Sequence, residues 1–478
     1  MNFCKYILKG KRTLNKQVIV GESLKYCELD KILKDNLNNN FKNLRNEKIG
    51  IFIKNSSEFL INYLSILNSG NTAVLFENGL PEDRLYSLLK KFKINYLVTD
   101  VFFKSEKMNL FNYKKIDINL KNSENIYFYI NKKKYWFFCK KIKNVALILF
   151  TSGSTGEKKG VMLTHKNLIS NTNSILKVLP IGKNDIVNLV LPSSYSFGLS
   201  ILNTHLKKGA KIFIHKSPFI GSVIKELNQY KCTSFYGVPS TFSILLEKTN
   251  FLKRKFPFIR YIAQAGGNLE IGLKKKLNKK FKNKLYIMYG ITEASPRLSY
   301  VPPKKLDEKI NSIGIPIPGV KLKFFKQKKT NLYELGASGK NIMKGYLYQN
   351  KLTKKSFKGN YFLTGDIGFK DKQNYFYITK RSDKTIKRYG YKINLSQIEK
   401  KIKSIEYIIE CKMFLSEQKK FYLIIQTKNK VLTKEKIFLE LKRYFLSYEL
   451  PDEIILTNKS LLNFNKKISI ESLFDNLK

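Results

Sequence analysis

Between Val145 and Tyr289 the sequence alternates short apolar runs with amphipathic stretches, and this alternation restricts the fold more than any other feature. VALILF (145–150), IVNLVLP (186–192), AKIFIH (210–215), TSFYGVP (233–239), IRYIAQA (259–265) and KLYIMY (284–289) have the length and apolar character of buried strands. Between them Leu168, Ile175, Leu176 and Leu179 recur at helical spacing, and VIKELNQY, STFSILLEKT and LKKKLNKKF read as helices. The pattern predicts an α/β fold with a wound sheet, whose ligands sit at the carboxyl ends of strands. At roughly 150 residues per domain, 478 residues suggest about three units. A composition 43% hydrophobic and 13% aromatic is globular and excludes a mostly disordered chain.

From about Ile310 the texture changes to Gly, Pro and short alternating segments (GIPIPGVKLKFF, YELGASGKNIMKGYL, NYFYIT), which predict a small β-rich subdomain. The polar run 380–387, KRSDKTIK, reads as a linker. Beyond it INLSQIEKKIKSI reads as a helix capped by Asn394 or Ser396, KKFYLIIQT as a strand and TKEKIFLELKRYF as a helix. The expected architecture is a large N-terminal domain over 1–382, of wound α/β sheets plus the β-rich subdomain. A small α+β domain over 383–478 follows.

Lys plus Arg number 89 against 36 Asp plus Glu, a net charge of +53. Such a charge attracts polyanions. The lysines are spread along the whole chain, however, and only nine of the basic residues are Arg, the residue suited to bidentate recognition of bases and phosphates. Specific nucleic-acid binding is therefore not expected. The five cysteines are widely spaced without a C-x-x-C, and His165, His205 and His215 have no metal-ligand spacing, so neither a disulfide framework nor a structural metal is expected. The N-terminus lacks a secretory signal pattern and no window approaches about 18 apolar residues. No membrane span is expected, and a reducing cytoplasm is the expected setting.

The segment Thr151-Ser-Gly-Ser-Thr-Gly-Glu-Lys-Lys-Gly-Val161 directly follows the VALILF run. Glycines let backbone N–H groups approach a phosphate, hydroxyls add donors and lysines add positive charge. It is not a Walker A loop, which needs Gly-Lys followed by Ser or Thr. Further on, a hydroxyl and a carboxylate at Thr292 and Glu293 suit Mg²⁺ with substrate phosphates, although an acidic helix start would look the same. Asp366 beside Gly365 can accept two hydrogen bonds from ribose hydroxyls, or be a β-turn Asp.

The 151–161 segment closely resembles the phosphate-binding loop of the adenylate-forming (AMP-binding) superfamily, which comprises acyl-CoA synthetases, peptide-synthetase adenylation domains and luciferases. Tyr289-Gly-Ile-Thr-Glu-Ala294 resembles that family's Y-G-x-T-E segment, and Leu363-Thr-Gly-Asp-Ile-Gly368 its T-G-D segment. Arg381-Ser-Asp383 and Gly390-Tyr-Lys-Ile393 resemble its hinge and following loop, and Ser312–Gly319 and Gly345-Tyr346 also fit. The resemblance covers Val145 to the C-terminus, and the first 140 residues are compatible with it.

The resemblance implies an AMP-forming acid–thiol ligase using ATP and Mg²⁺. A carboxylate attacks the α-phosphorus of ATP, giving an acyl-adenylate and pyrophosphate; a thiol then takes the acyl group. It implies ATP/AMP binding by Thr151, Ser152, Gly153, Ser154, Thr155, Gly156, Lys159, Gly266, Tyr289, Gly290, Thr292, Asp366 and Arg381, with Tyr289 near the adenine. Glu293 and Thr155 would hold the metal. Thr292, Glu293 and a C-terminal lysine would be catalytic. In Leu462-Asn-Phe-Asn-Lys-Lys-Ile468, aligning Asn465 with the family's Asn puts Lys467 at the catalytic position, with Lys466 as the alternative where the family often has Gly. The C-terminal domain would be a mobile lid turning about Asp383.

Tyr195, in Leu191-Pro-Ser-Ser-Tyr-Ser-Phe-Gly198, stands where many acyl-CoA synthetases carry His. With Tyr236, Gly237 and Gly267 it is assigned to the acyl pocket. Amino-acid-activating members place an Asp near here to pair with the ammonium. None lies between Ile186 and Glu226, so a simple acyl or aryl acid is favoured over an amino acid. The acceptor is CoA or, alternatively, the phosphopantetheine of an acyl carrier protein loaded by a stand-alone adenylation enzyme. A reading of another class is a non-catalytic nucleotide- or nucleic-acid-binding relic of the fold.

Overall fold

The computed structural model describes residues 1–11, 13–116, 118, 125–132, 142–152, 158–217, 219–327, 332–381, 385–388, 391–416, 420–427 and 432–457. The chain divides into two compact units. The first is Met1–Asn78, Tyr86–Thr151 and Gly160–Ser382; the second is Gly79–Leu85, Ser152–Lys159 and Asp383–Lys478.

Two large sheets dominate the first unit. In one, the strands Leu147–Ser152, Thr72–Leu75, Lys48–Phe52 and Tyr96–Thr99 lie side by side and parallel, flanked by antiparallel Ile126–Asn131 and Phe111–Ile116. In the other, Lys211–Ile214, Ile186–Leu189, Ser234–Gly237, Tyr261–Gln264 and Leu285–Gly290 run parallel, then Arg297–Val301 pairs antiparallel and the short Ile315–Pro316 ends the sheet. Every residue of Lys48–Phe52, Ser234–Gly237 and Tyr261–Gln264 is buried, as expected for parallel strands covered on both faces. Phe235 and Tyr236 illustrate the period of two: they enter different hydrophobic clusters on opposite faces of their sheet.

The helices between the strands start and stop at local signals. Thr164 caps His165–Val178 by accepting from Asn167 N–H, and the Asn167 side chain returns the bond. Ser196–Lys208 ends at Gly209, whose φ of 70° is left-handed. Pro239 opens Pro239–Glu247 at the position where its missing N–H costs nothing.

The β-rich segment is a sheet of Val320–Lys326, Tyr333–Gly339, Tyr361–Lys370 and Phe357–Lys358, with Phe376–Arg381 paired to Tyr361–Lys370. In the second unit Glu410–Leu415, Phe421–Gln426 and Glu453–Thr457 form a sheet accompanied by the helices Leu395–Lys403 and Lys434–Tyr444. The run 380–387, expected as a linker, does contain the boundary between the two units at Ser382 and Asp383, but its described residues are strand. Lys380 and Arg381 finish a strand, and Thr385–Arg388 pairs with Tyr391–Asn394. Backbone pairing does not require apolar side chains, so a polar run can be strand. Asn394 occupies the cap position of Leu395–Lys403, but its side chain makes no capping bond. Among the described residues no helix is long and apolar enough to cross a membrane.

Candidate functional site

The parallel strands deliver the sequence motifs to their carboxyl ends. Leu285–Gly290 carries Tyr289 and Gly290 at its end and runs into the 3₁₀ turn Thr292–Ala294. Gly290 stands opposite Arg297 across the antiparallel pair, and a Cβ on it would lie 2.1 Å from the Pro296 carbonyl oxygen, so only glycine permits this approach. Tyr261–Gln264 leads to Gly266, whose φ of 84° is left-handed. The Gln264 amide donates to the carbonyls of Ala265 and Gly267 and holds that turn.

Three residues of separate sequence motifs meet at Asp366. This carboxylate, 5% exposed, accepts from Arg381 Nη1 at 2.6 Å and from the Tyr289 hydroxyl. Its own N–H donates to Thr364 Oγ1 at 3.1 Å. Arg381 lies directly across from Asp366 in the strand register. Burial and the adjacent carboxylate drive the Tyr289 phenol well above its ordinary value, so Tyr289 stays a hydrogen-bond donor. Its hydroxyl is thus committed to Asp366.

Glu293 Oε1 accepts from the Tyr346 hydroxyl at 2.9 Å, and the Glu293 carbonyl accepts from Met343 N–H. Burial and Glu293 push the Tyr346 phenol up. Thr292 Oγ1 lies 3.2 Å from Ser196 Oγ. No group of three or more His, Cys, Asp or Glu side chains forms among the described residues. A hard cation at Glu293 would take most of its oxygens from phosphate and water, the usual habit of Mg²⁺.

At the end of Leu147–Ser152, Thr151 Oγ1 is buried without a hydrogen-bond partner. A hydroxyl withdrawn from water and left unbonded costs about 1–3 kcal/mol, and a phosphate oxygen would satisfy it. That fits the nucleotide expected at this loop. Lys159 is nearly buried in the strand Lys158–Leu163. Gly153, Ser154, Thr155, Gly156, Asp383, Lys466 and Lys467, and the side chain of Ser152, lie outside the described residues.

Tyr195 precedes the helix Ser196–Lys208. Gly198 is obligatory there, because a Cβ would fall 2.2 Å from the Pro192 carbonyl oxygen. Tyr236 is 1% exposed and hydrogen-bonded to the Tyr261 hydroxyl at 2.9 Å. Its ring meets Phe197 and His205 edge-on. Beside Gly237, the Phe242 ring and the Thr241 side chain occupy the space a Cβ would need.

Sequence reasoning did not single out Arg297, Ser196 or the Tyr346–Glu293 bond. Gly345-Tyr346 carried a family signal but no chemical role, and Arg297, just beyond the Y-G-x-T-E segment, carried none.

The chain belongs to the AMP-binding enzyme family, whose model matches residues 37–347. It is 28% identical over 279 residues to the long-chain-fatty-acid–CoA ligase of Bacillus subtilis, a match spanning 56% of this chain and 49% of that protein. Against the 2-succinylbenzoate–CoA ligase of the same organism it is 25% identical over 340 residues, 69% of this chain and 68% of that one. The chain thus spans about half the length of the first of these relatives and about two thirds of the second. In fold it is similar to the solved o-succinylbenzoate CoA synthetase of Bacillus subtilis, with a TM-score of 0.82 and 20% identity over 99% of this chain and 98% of that one.

Proposed function

We propose that this protein activates a carboxylic acid with ATP through an acyl-adenylate and transfers the acyl group to a thiol, CoA in the first instance. The observation that carries this reading is the Asp366 carboxylate of the β-rich sheet, buried and held between Arg381 and Tyr289, the latter at the carboxyl end of a wound-sheet strand. Family membership and CoA-ligase relatives support it.

In this reading Asp366 takes the ribose hydroxyls on the carboxylate edge that Arg381 and Tyr289 leave open. Thr151 donates to a phosphate, and Glu293, aimed by Tyr346, holds Mg²⁺. When bound, Mg²⁺ supplies charge neutralisation on the phosphates. Residues 1–382 bind ATP and the acid, while 383–478 supply Lys467 as donor to the charge that develops on the α-phosphate. The free thiols of Cys4, Cys27, Cys232 and Cys411 suit a reducing cytoplasm.

The test is carboxylate-dependent ATP–pyrophosphate exchange with Mg²⁺ and a panel of fatty, aryl, hydroxy, amino and dicarboxylic acids. Thioester formation on CoA and on an acyl carrier protein is then compared. Exchange with one acid class is expected. Folded, ATP-binding protein that exchanges with none would overturn the reading.

A further inference from the structure

Arg297 opens the strand Arg297–Val301 and is only 3% exposed. A buried guanidinium is normally paired with a carboxylate, because an uncompensated buried charge is costly. This one is not. Its Nε is buried without a hydrogen-bond partner. Its charged centre lies 3.9 Å from the centroid of the Phe197 ring. Burial lowers its pKa to about 10, opposed by the nearby Tyr236, whose own phenol burial holds neutral at ordinary pH.

The surroundings place this cation among residues expected to bind the nucleotide (Gly266, Gly290) and the acid (Tyr236). Gly290 faces Arg297 across the strand pair. Phe197, on which the guanidinium rests, meets the Tyr236 ring at 6.3 Å and would lie 3.8 Å from a Cβ on Gly266. Arg297 is held from its backbone: its N–H donates to Asn171 Oδ1, and its carbonyl accepts from Asn171 Nδ2. The guanidinium carbon lies over the Phe197 ring. The guanidinium N–H bonds lie in its own plane, and the fork they form matches a carboxylate.

We propose that Arg297 is a specificity residue that pairs with a second carboxylate on the acid this enzyme activates, so that the substrate is a dicarboxylic acid. One carboxylate enters the adenylation reaction and the other neutralises Arg297. A monocarboxylic acid of the same length leaves the guanidinium buried and unpaired, and sites built around a buried polar partner discriminate strongly against such analogues. The inference rests on the adenylation reading above and deepens it.

The experiment compares ATP–pyrophosphate exchange for matched pairs of aliphatic and aryl mono- and dicarboxylic acids, in the wild type, Arg297→Met and Arg297→Lys. The wild type should favour one diacid over its monoacid partner by on the order of 100-fold in kcat/KM. Arg297→Met should lose that preference through a raised KM while retaining exchange with the monoacid, and Arg297→Lys should fall between. A wild type that prefers monoacids, or an Arg297→Met protein that loses both acids equally while still folded, would overturn this inference and leave adenylation standing. Exchange with no acid at all would overturn both. Should Arg297→Met fail to fold, the wild-type preference decides.

Discussion

Arg381 and Asp366 stand directly opposite each other in adjacent antiparallel strands, and Arg381 Nη1 donates to the carboxylate at 2.6 Å. Both side chains are largely withdrawn from solvent, at 18% and 7% exposure. Asp366→Asn leaves the guanidinium facing a neutral amide. Breaking a buried pair of this kind costs about 3 kcal/mol. The variant should unfold at lower denaturant and show a strongly raised KM for ATP in pyrophosphate exchange. An unchanged KM would remove Asp366 from the nucleotide site.

Thr151 offers the opposite combination. Its hydroxyl is buried and unbonded, so Thr151→Val should leave stability unchanged or slightly raised, since the unmet polar group disappears. Nucleotide affinity should drop by about 10-fold, the worth of one hydrogen bond to a charged acceptor. Calorimetric ATP titration beside thermal denaturation checks both halves.

In the proposed function Lys467 is the catalytic lysine, with Lys466 as the alternative. Lys467→Ala should slow adenylate formation by on the order of 100-fold, the usual loss for one donor aimed at developing charge. Thioester formation from a supplied acyl-adenylate should be spared. Equal loss in both half-reactions would reassign the lysine, with Lys466→Ala as the comparison.

Stability should fall in mild acid. His205 is fully buried, and burial lowers its pKa to about 4, although its Nδ1 bond to the Ile201 carbonyl opposes the shift. An unfolded histidine titrates near 6.5. Above that pH the imidazole is neutral in both states and the stability is fully present. Between 6.5 and 4 only the unfolded chain takes up the proton, so stability declines by up to about 1.4 kcal/mol per pH unit from this group. His165, also lowered to about 4 by burial, acts in the same direction. Urea titrations from pH 8 to 4 should show the slope, and His205→Asn should flatten it in part.

Two glycines separate steric need from propensity. Gly198→Ala would put a methyl 2.2 Å from the Pro192 carbonyl oxygen, and the backbone shift should cost about 1–3 kcal/mol. At Gly272, on the exposed start of Ile271–Lys280, the nearest atom to a Cβ is 3.7 Å away. Alanine there should stabilise by about 0.5 kcal/mol. Melting curves of the two variants should therefore move in opposite directions.

The strands and helices from Val145 to Tyr289 were legible because their apolar periods are local and turns punctuate them. The Thr151–Val161 and Tyr289–Ala294 segments were legible for the same reason: each places its glycines, hydroxyls and charges within a few consecutive positions. The pairings at 380–387 were not, since backbone hydrogen bonds join polar strands as readily as apolar ones.

The sequence by itself determined the α/β class and the family, through local period and contiguous motif. Only the tertiary structure decided that Tyr289 bonds Asp366 across 77 positions, that Tyr346 bonds Glu293 across 53, and that Arg297 is buried on Phe197 with no carboxylate partner among the described residues. Such relations depend on which strand ends meet in space. That is set by packing of the whole sheet and by the cost of burying each polar group, and neither quantity is a property of any short stretch of residues.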